Sequence, residues 1–202
     1  MFHLTRSGGP IAGDGMRVGL FGGSFNPPHE GHLEIALAAL RRLDLHAVWW
    51  LVTPGNPLKS NGEYAPLADR LAATRRLARH PRFDVTDIEA RLGSRYTLDT
   101  VRRLTERYHG VKFIWIMGAD NLATFDRWRG WREIADRTPI AVFSRPGSVL
   151  KAPLSPAAQV LRNRRLPSSA ARTLAETDPP CWVYFARTRN PASSTALRAR
   201  RA

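Results

Sequence analysis

Two histidines stand three residues apart at the end of a segment that reads Gly-Gly-Ser-Phe-Asn-Pro-Pro-His-Glu-Gly-His from Gly22 to His32. Residues three apart at a helix start lie on one side of the helix, so His29 and His32 can contact one polyphosphate together. Reactions at a polyphosphate depend mainly on positioning and on stabilising the charge of the reacting and leaving groups. Imidazole donors suit that task, and the spacing therefore predicts a phosphate-handling site.

Two other interpretations of the histidine pair are open. His29 can serve as a helix cap and His32 as a packed side chain, and an isolated pair would favour this structural role. The position after a strand and before a helix favours phosphate binding instead. A metal site needs a third clustered ligand, and Glu30 points to a different side, so we predict no metal ion held by the protein alone.

The elements around this segment position it at the edge of a sheet. An apolar run from Met16 to Phe21 predicts a strand, and Gly22 and Gly23 are expected to let the backbone turn tightly and approach a ligand. Leucines at helical spacing predict a helix from Gly31 to about residue 43. Parallel sheets bind ligands at the carboxyl ends of their strands, where this loop would lie.

The rest of the chain continues the alternation of strands and helices, which predicts an α/β fold: a Rossmann-like doubly wound parallel sheet with helices on both faces. Further strands are predicted at 47–52, 83–88, 111–117, 139–143 and 182–185. Further helices are predicted at 67–79, 98–108, 157–165 and 193–198, and one carries Trp128 and Trp131. A turn is predicted at 118–121. Residues 1–15 are expected to form a flexible N-terminal extension and residues 16–202 a single domain.

Charge and composition limit the class of protein. The net charge of +14 arises from 31 basic and 17 acidic residues and favours anionic ligands. Arginines such as Arg70, Arg75, Arg76 and Arg79 are spread over predicted helices, which indicates a solvated surface that also attracts phosphates. No recognition motif accompanies the charge, so nucleic acid is not the favoured partner. The single Cys181 suits a reducing cytoplasm, and we expect it to be a small buried residue.

No apolar run approaches the roughly 20 residues that span a bilayer, and residues 1–15 lack the apolar core of a signal peptide. These observations predict a cytoplasmic protein that does not enter a membrane. The oligomeric state cannot be read from the sequence.

The segment from Gly22 to His32 resembles the nucleotidyltransferase superfamily with its His-x-Gly-His signature, in the form found in the bacterial nicotinate mononucleotide adenylyltransferase family. The resemblance continues in family order and covers about residues 16–199. Its further pieces are Gly118-Ala-Asp-Asn121, the Trp128 and Trp131 pair, and Ser193-Ser-Thr-Ala-Leu-Arg198. Two positions depart from the family pattern: Ala192 stands where the family usually has Ile, and Asn26 replaces a frequent Asp.

The resemblance implies which residues bind ATP. His29, His32 and Arg198 are the implied catalytic residues, with His32 near the reacting α-phosphate. The implied ATP-binding residues are Gly22, Gly23, Ser24, Phe25, His29, His32, Asp120, Ser194, Thr195 and Arg198. A helix N-terminus and an arginine also suit phosphate on physical grounds, although ordinary capping beside a solvated arginine explains Ser194, Thr195 and Arg198 equally well.

The resemblance also implies a site for a pyridine mononucleotide. Its residues would be Asn26, Lys59, Tyr96, Thr97 and Trp128. Thr97 would bond the nicotinate carboxylate, and Trp128 would stack on the cationic pyridine ring. Tryptophans three apart on a helix are more often core residues, so we assign packing to Trp131.

The implied reaction is direct in-line attack of the 5′-phosphate of nicotinate mononucleotide on the α-phosphorus of ATP, which forms deamido-NAD and pyrophosphate in NAD biosynthesis. Mg²⁺ would be carried with ATP. Three alternatives are open: nicotinamide mononucleotide as acceptor, phosphopantetheine as acceptor, which His29 argues against because that branch usually has Thr there, and a basic nucleic-acid-binding module. An aminoacyl-tRNA synthetase is disfavoured because 202 residues leave no room for an anticodon domain.

Overall fold

The computed structural model describes residues 9–55, 64–144 and 152–186, and in this part seven strands form one parallel sheet. The strands are β1 (Arg17–Gly23), β2 (Ala47–Val52), β3 (Phe83–Thr86), β4 (Lys112–Gly118), β5 (Ile140–Phe143), β6 (Arg165–Leu166) and β7 (Trp182–Phe185). The helices are α1 (Glu30–Arg42), α2 (Leu67–Leu77), α3 (Ile88–Arg91), α4 (Thr97–Arg107), α5 (Ala119–Leu122), α6 (Trp131–Arg137) and α7 (Pro156–Val160). Short 3₁₀ helices occupy Phe125–Arg127, Ala152–Leu154, Arg162–Arg164 and Ser168–Glu176.

The strand order is β3-β2-β1-β4-β5-β7-β6, so the chain changes direction across the sheet between β1 and β4. From β1 the strands move outward through β2 to β3, and the chain then returns to place β4 on the other side of β1. Loops at the carboxyl ends of β1 and β4 therefore leave in opposite directions and open a crevice between them. This arrangement confirms the predicted doubly wound fold.

The core lies on both faces of the sheet. On one face, residues such as Leu20 and Trp49 pack against Val101 of α4 and Ile134 of α6. On the other face, residues such as Phe21 and Trp50 pack against helices α1 and α2. All six residues of β2 are buried, which is the pattern of a strand covered by helices on both sides.

Three local predictions were wrong. The predicted turn at 118–121 is the short helix α5. The predicted helix with both tryptophans does not exist, because Trp128 is extended and Gly130, at φ 62°, adopts a left-handed conformation just before α6 begins at Trp131. The predicted helix 157–165 ends at Val160, since the Leu161 carbonyl accepts from the Arg164 N–H and from Trp182 Nε1, both at 2.9 Å.

The described residues before β1 contact the connection between α4 and β4. Tyr108 Oη donates to the Pro10 carbonyl at 2.8 Å, and the Gly15 N–H donates to the Gly110 carbonyl at the same distance. The domain boundary at residue 16 stays a prediction. The predicted helix 193–198 lies outside the described residues. Within the described ranges, no helix has the length and apolar character needed to cross a membrane.

Candidate active site

Gly22 and Gly23, the last two residues of β1, serve close packing rather than the turn. Strand β1 continues through both, with Gly22 opposite Leu51 and Gly23 opposite Val52. A Cβ atom at Gly22 would lie 2.9 Å from Trp115 Cη2, and one at Gly23 would lie 3.1 Å from Phe25 Cζ. The prediction that these glycines make the turn was wrong, and their predicted role in the approach of a ligand stays a prediction.

Phe25 carries the turn instead, with φ at 45° in the left-handed region. This conformation costs an L-residue about 1 to 2 kcal/mol. The ring is 1% exposed, and its centroid lies 5.5 Å from that of Phe21, 5.2 Å from that of Trp50 and 5.1 Å from that of His32. Burial of this ring among aromatic neighbours offsets the backbone strain and holds the loop in one shape.

The two histidines face each other, as the spacing predicts. Their ring centroids are 3.7 Å apart with 30° between the planes. His29 is the N-cap residue of α1 and is 6% exposed, whereas His32 is half-buried. His32 Nδ1 accepts from the His29 backbone N–H at 3.2 Å. Because Nδ1 acts as an acceptor, the proton of a neutral His32 lies on Nε2, which makes that atom a donor.

The amino end of α1 adds to the electrostatic character of this loop. The first N–H groups of a helix lack partners within the helix, and its dipole favours negative charge there. The strand, the loop and the helix start together form the arrangement in which α/β proteins bind phosphate groups.

The carboxyl end of β4 lies directly beside this loop. Strand β4 ends at Gly118, and Asp120 lies exposed in the first turn of α5. A Cβ atom at Gly118 would collide with Asp120 Oδ1, so the glycine allows the carboxylate to fold back over the strand end. This position is compatible with the predicted contact to the nucleotide.

Three of the residues assigned to the pyridine mononucleotide, Tyr96, Thr97 and Trp128, lie where α4 meets the segment before α6. Tyr96 is the N-cap of α4, and Thr97 is its first residue. The Arg129 guanidinium lies 4.8 Å from the centroid of the Tyr96 ring, and a Cβ at Gly130 would collide with Leu98. The start of α4 is therefore packed against the chain that follows Trp128.

Trp128 is half-buried and Trp131 is buried at 8% exposure. The Trp128 ring meets Phe125 edge-on at 5.4 Å and Trp115 at 6.5 Å, measured between centroids. The tip of Trp115 also lies over Gly22. The Trp115 indole thus contacts both Gly22, at the start of the phosphate-handling loop, and the Trp128 ring. Trp131 has the packing role predicted for it.

Arg70 was wrongly assigned to the solvated surface, because its side chain is 3% exposed. Its guanidinium donates to backbone carbonyls of three segments beside the site. The sequence contains a signal for this burial, since Arg70 shares a helical face with Leu67, Leu71 and Thr74.

Glu89 is a second buried charged residue that was not predicted from the sequence. It is 7% exposed, and the Thr100 hydroxyl donates to its Oε1 at 3.1 Å. A further side-chain hydrogen bond joins it to Thr53, the residue after β2. Burial raises the pKa of Glu89 to about 7, against the two hydrogen bonds that lower it. No pattern in the sequence distinguishes it from a surface glutamate.

The other predicted site residues are Asn26, which the structure describes, and four that lie outside the described ranges. The Asn26 side chain is 7% exposed, and its Oδ1 accepts from the Ala65 N–H at 3.3 Å, so this atom has an internal role. Lys59, Ser194, Thr195 and Arg198 lie outside the described residues. In the described ranges, no three His, Cys, Asp or Glu side chains are placed to hold a metal ion. Cys181 is buried, as expected, and burial raises its pKa to about 11.

Solved structures show the same fold. The structure of Plasmodium falciparum nicotinic acid mononucleotide adenylyltransferase complexed with NaAD superposes with a TM-score of 0.66 at 14% identity, and the match covers 91% of this chain and 83% of that chain. The complex of that protein with APC gives the same TM-score at 13% identity. At this identity the likeness establishes the fold alone.

Sequence comparisons are more specific. A family model described as cytidylyltransferase-like matches residues 20–200. A curated protein of Caulobacter sp. (strain K31), named "Probable nicotinate-nucleotide adenylyltransferase", is 60% identical over 185 residues, or 92% of this chain and 98% of that protein. A protein of the same name from Ruegeria sp. (strain TM1040) is 49% identical over 92% of this chain and 97% of its own. The chain therefore belongs to the cytidylyltransferase-like family of nucleotidyltransferases, among the nicotinate-nucleotide adenylyltransferases.

Proposed function

We propose that this protein transfers the adenylyl group of ATP to nicotinate mononucleotide, giving deamido-NAD and pyrophosphate. The observation that carries the proposal is the pair of facing histidines at the amino end of α1, directly after the carboxyl end of β1. The names of the curated relatives agree with this activity.

In the proposed mechanism, a 5′-phosphate oxygen of the mononucleotide attacks the α-phosphorus of ATP in line. The new bond joins the two phosphates of the dinucleotide, and the bond between the α-phosphorus and its bridging oxygen breaks to release pyrophosphate. No proton must be removed from the nucleophile, because the phosphate is already ionised. The protein therefore acts by positioning the reactants and by stabilising charge.

His32 Nε2 is the proposed donor to the α-phosphate, since its Nδ1 accepts from the backbone and leaves the proton on the other nitrogen. His29 and the first N–H groups of α1 are proposed to hold the remaining phosphate oxygens. Asp120 would orient the ribose. Ser194, Thr195 and Arg198 are proposed to complete the ATP site from the end of the chain.

The loop after β1 offers imidazole and backbone N–H groups, which fit phosphate oxygens better than they fit a hard cation, and Asp120 adds a single carboxylate. We therefore propose that Mg²⁺ enters with ATP, with phosphate oxygens and water as most of its ligands. When bound, it neutralises charge on the phosphates.

The acceptor is proposed to lie against Trp128, whose half-exposed ring offers a flat surface for a cationic pyridine. Thr97 at the start of α4 would meet the nicotinate carboxylate with its hydroxyl and with the helix amides. Tyr96 and Asn26 would line this side, and Lys59 would approach the acceptor phosphate. A cytoplasmic location stays a prediction.

The test is pyrophosphate release from ATP and Mg²⁺ with nicotinate mononucleotide, with nicotinamide mononucleotide and without acceptor. We expect strong release with the nicotinate compound. A preference for nicotinamide mononucleotide would keep the chemistry and overturn the substrate. Absence of release from folded protein would overturn the enzymatic function, and RNA binding with steep salt dependence would then favour the nucleic-acid-binding module.

A further inference from the structure

Arg70 places a full positive charge beneath the phosphate-handling loop. Its Nε donates to the Ala65 carbonyl at 2.8 Å, and one terminal nitrogen donates to the carbonyls of Ser24 at 2.9 Å and Thr53 at 2.7 Å. The other terminal nitrogen donates to the Pro54 carbonyl at 3.1 Å. One side chain of α2 thereby holds the loop after β1, the loop after β2 and the segment before α2 together.

No carboxylate among the described residues pairs with this guanidinium. Its nearby aromatic partner is Tyr64, with the ring centroid 5.5 Å from the guanidinium carbon. Burial lowers the pKa of Arg70, but a guanidinium stays protonated at neutral pH. Among the described residues, carbonyl dipoles and the Tyr64 ring offset the charge without a carboxylate, so the region above it keeps a positive potential that favours anions.

The contact to the Ser24 carbonyl also sets the direction of the next amide. The peptide between Ser24 and Phe25 is trans, so its C=O and N–H point in opposite directions. Because the carbonyl points at Arg70, the Phe25 N–H points away from it. Within the described part of the chain, no group accepts from that N–H. An anion at the loop can therefore use it.

We propose that Arg70 is a positioning residue for adenylyl transfer, which holds the Ser24 and Thr53 carbonyls so that the strained Phe25 keeps its N–H available to the substrate phosphates. This inference rests on the proposed function and adds to it a residue that never touches substrate. The φ of 45° at Phe25 is the conformation that would relax without this support.

A lysine cannot replace this arginine. The guanidinium is a planar fork whose donors reach carbonyls in several directions at once, whereas an ammonium is a compact point charge. Arg70→Lys therefore keeps the charge and part of the hydrogen bonding while it loses the geometry. Arg70→Met keeps an apolar stem and loses both the charge and the hydrogen bonds. Arg75→Met is the matched control, because Arg75 is exposed on the same helix.

The experiment measures kcat, KM for each substrate and the midpoint of thermal unfolding for these variants, with kinetics recorded where each protein is folded. For Arg70→Lys we expect a loss of about 100-fold in kcat together with a smaller rise in KM for ATP, because a displaced loop binds the phosphates more weakly and no longer aligns its donors with the reacting phosphate. Arg75→Met should match the wild type. If Arg70→Met fails to fold, the kinetics of Arg70→Lys alone test the positioning role.

Binding of inorganic tripolyphosphate, measured by calorimetry, separates this inference from the proposed function. Wild-type kinetic constants in folded Arg70→Lys would overturn the positioning role and leave the proposed function intact. A variant with lowered thermal stability but unchanged kcat would do the same, because it would show that Arg70 is purely structural. Should the wild type transfer no adenylyl group, weaker tripolyphosphate binding by Arg70→Lys would still support the positioning role, and unchanged binding would overturn it.

Discussion

The two sides of the crevice are built by different interactions. On the β1 side, the loop from Ser24 to His29 is held by the hydrogen bond from Arg70 to the Ser24 carbonyl and by the buried ring of Phe25. On the β4 side, Asp120 is exposed and Trp128 is half-buried. The Trp128 ring is edge-on to the rings of Phe125 and Trp115. The described loop of the first side is thus supported by internal contacts, and the second side leaves part of the Trp128 ring exposed.

This difference matches the chemistry proposed for each side. Charge that develops on a phosphate is stabilised best by donors that need no rearrangement, so the β1 side requires a rigid loop. A flat pyridine ring is recognised by contact area, so the β4 side requires an accessible aromatic face. Changes on the β1 side should therefore affect kcat, and changes on the β4 side should affect KM.

The largest expected effect comes from His32→Ala on the β1 side. Loss of the Nε2 donor should lower kcat by about 100- to 1000-fold, the range seen when one donor to a developing charge is removed. Steady-state kinetics with ATP and nicotinate mononucleotide measure this loss. His109→Ala is the control, since His109 is exposed. A His32→Ala enzyme within a few-fold of the wild type would contradict the assigned donor.

Gly22→Ala tests the contact between Gly22 and the Trp115 indole, which joins the two sides of the crevice. The new Cβ would lie 2.9 Å from Trp115 Cη2, and overpacking of this kind costs about 1 to 3 kcal/mol. Denaturant unfolding should show this loss of stability. Gly13→Ala is the matched control, because nothing lies within 4 Å of a Cβ at that position. Equal unfolding free energies for the two variants would show that the indole moves freely.

Trp128→Ala tests the β4 side. Removal of the ring should raise KM for the mononucleotide by about tenfold, which corresponds to the energy of one aromatic contact, with little change in kcat. Trp128→Phe should retain most of the affinity because it keeps an aromatic face. An equal rise in KM for ATP would argue that Trp128 supports the whole crevice instead of one substrate.

The smallest effect is expected from Glu89→Gln, which tests the network behind the loop after β2. Burial raises the pKa of Glu89 from 4.5 to about 7, so the folded protein binds this proton more tightly than the unfolded chain does. Stability from this group is then present at low pH and is lost as pH rises through about 4.5 to 7.

Glutamine cannot ionise, so the thermal stability of the wild type relative to Glu89→Gln should fall between about pH 4.5 and about pH 7. Differential scanning calorimetry of both proteins across this range measures the difference. A constant difference would mean that Glu89 has the same pKa in the folded and the unfolded protein, which would contradict the effect of burial.

Part of the fold and part of the candidate site could be predicted from the sequence. The strands and the facing histidines follow from short-range patterns, because apolar periodicity and i, i+3 spacing act within a few residues. The roles of Gly22, Gly23 and Phe25 were not accessible, since a glycine that admits a distant indole and a glycine that turns the chain have the same local signature. The end of α7 could not be predicted either, because the Leu161 carbonyl after this helix accepts a hydrogen bond from Trp182 Nε1, 21 residues later in the chain.

The sequence by itself determined the class of fold, the positions of six of the seven described strands and of helices α1, α2 and α4, and the family, because these depend on local pattern and on motifs whose order along the chain is visible. Only the tertiary structure decided that Arg70 is buried, that Glu89 braces the loop after β2, and that Trp115 lies between the two sides of the crevice. The physical reason is that each of these roles depends on contacts between segments distant in sequence, and burial is set by the packing that brings those segments together.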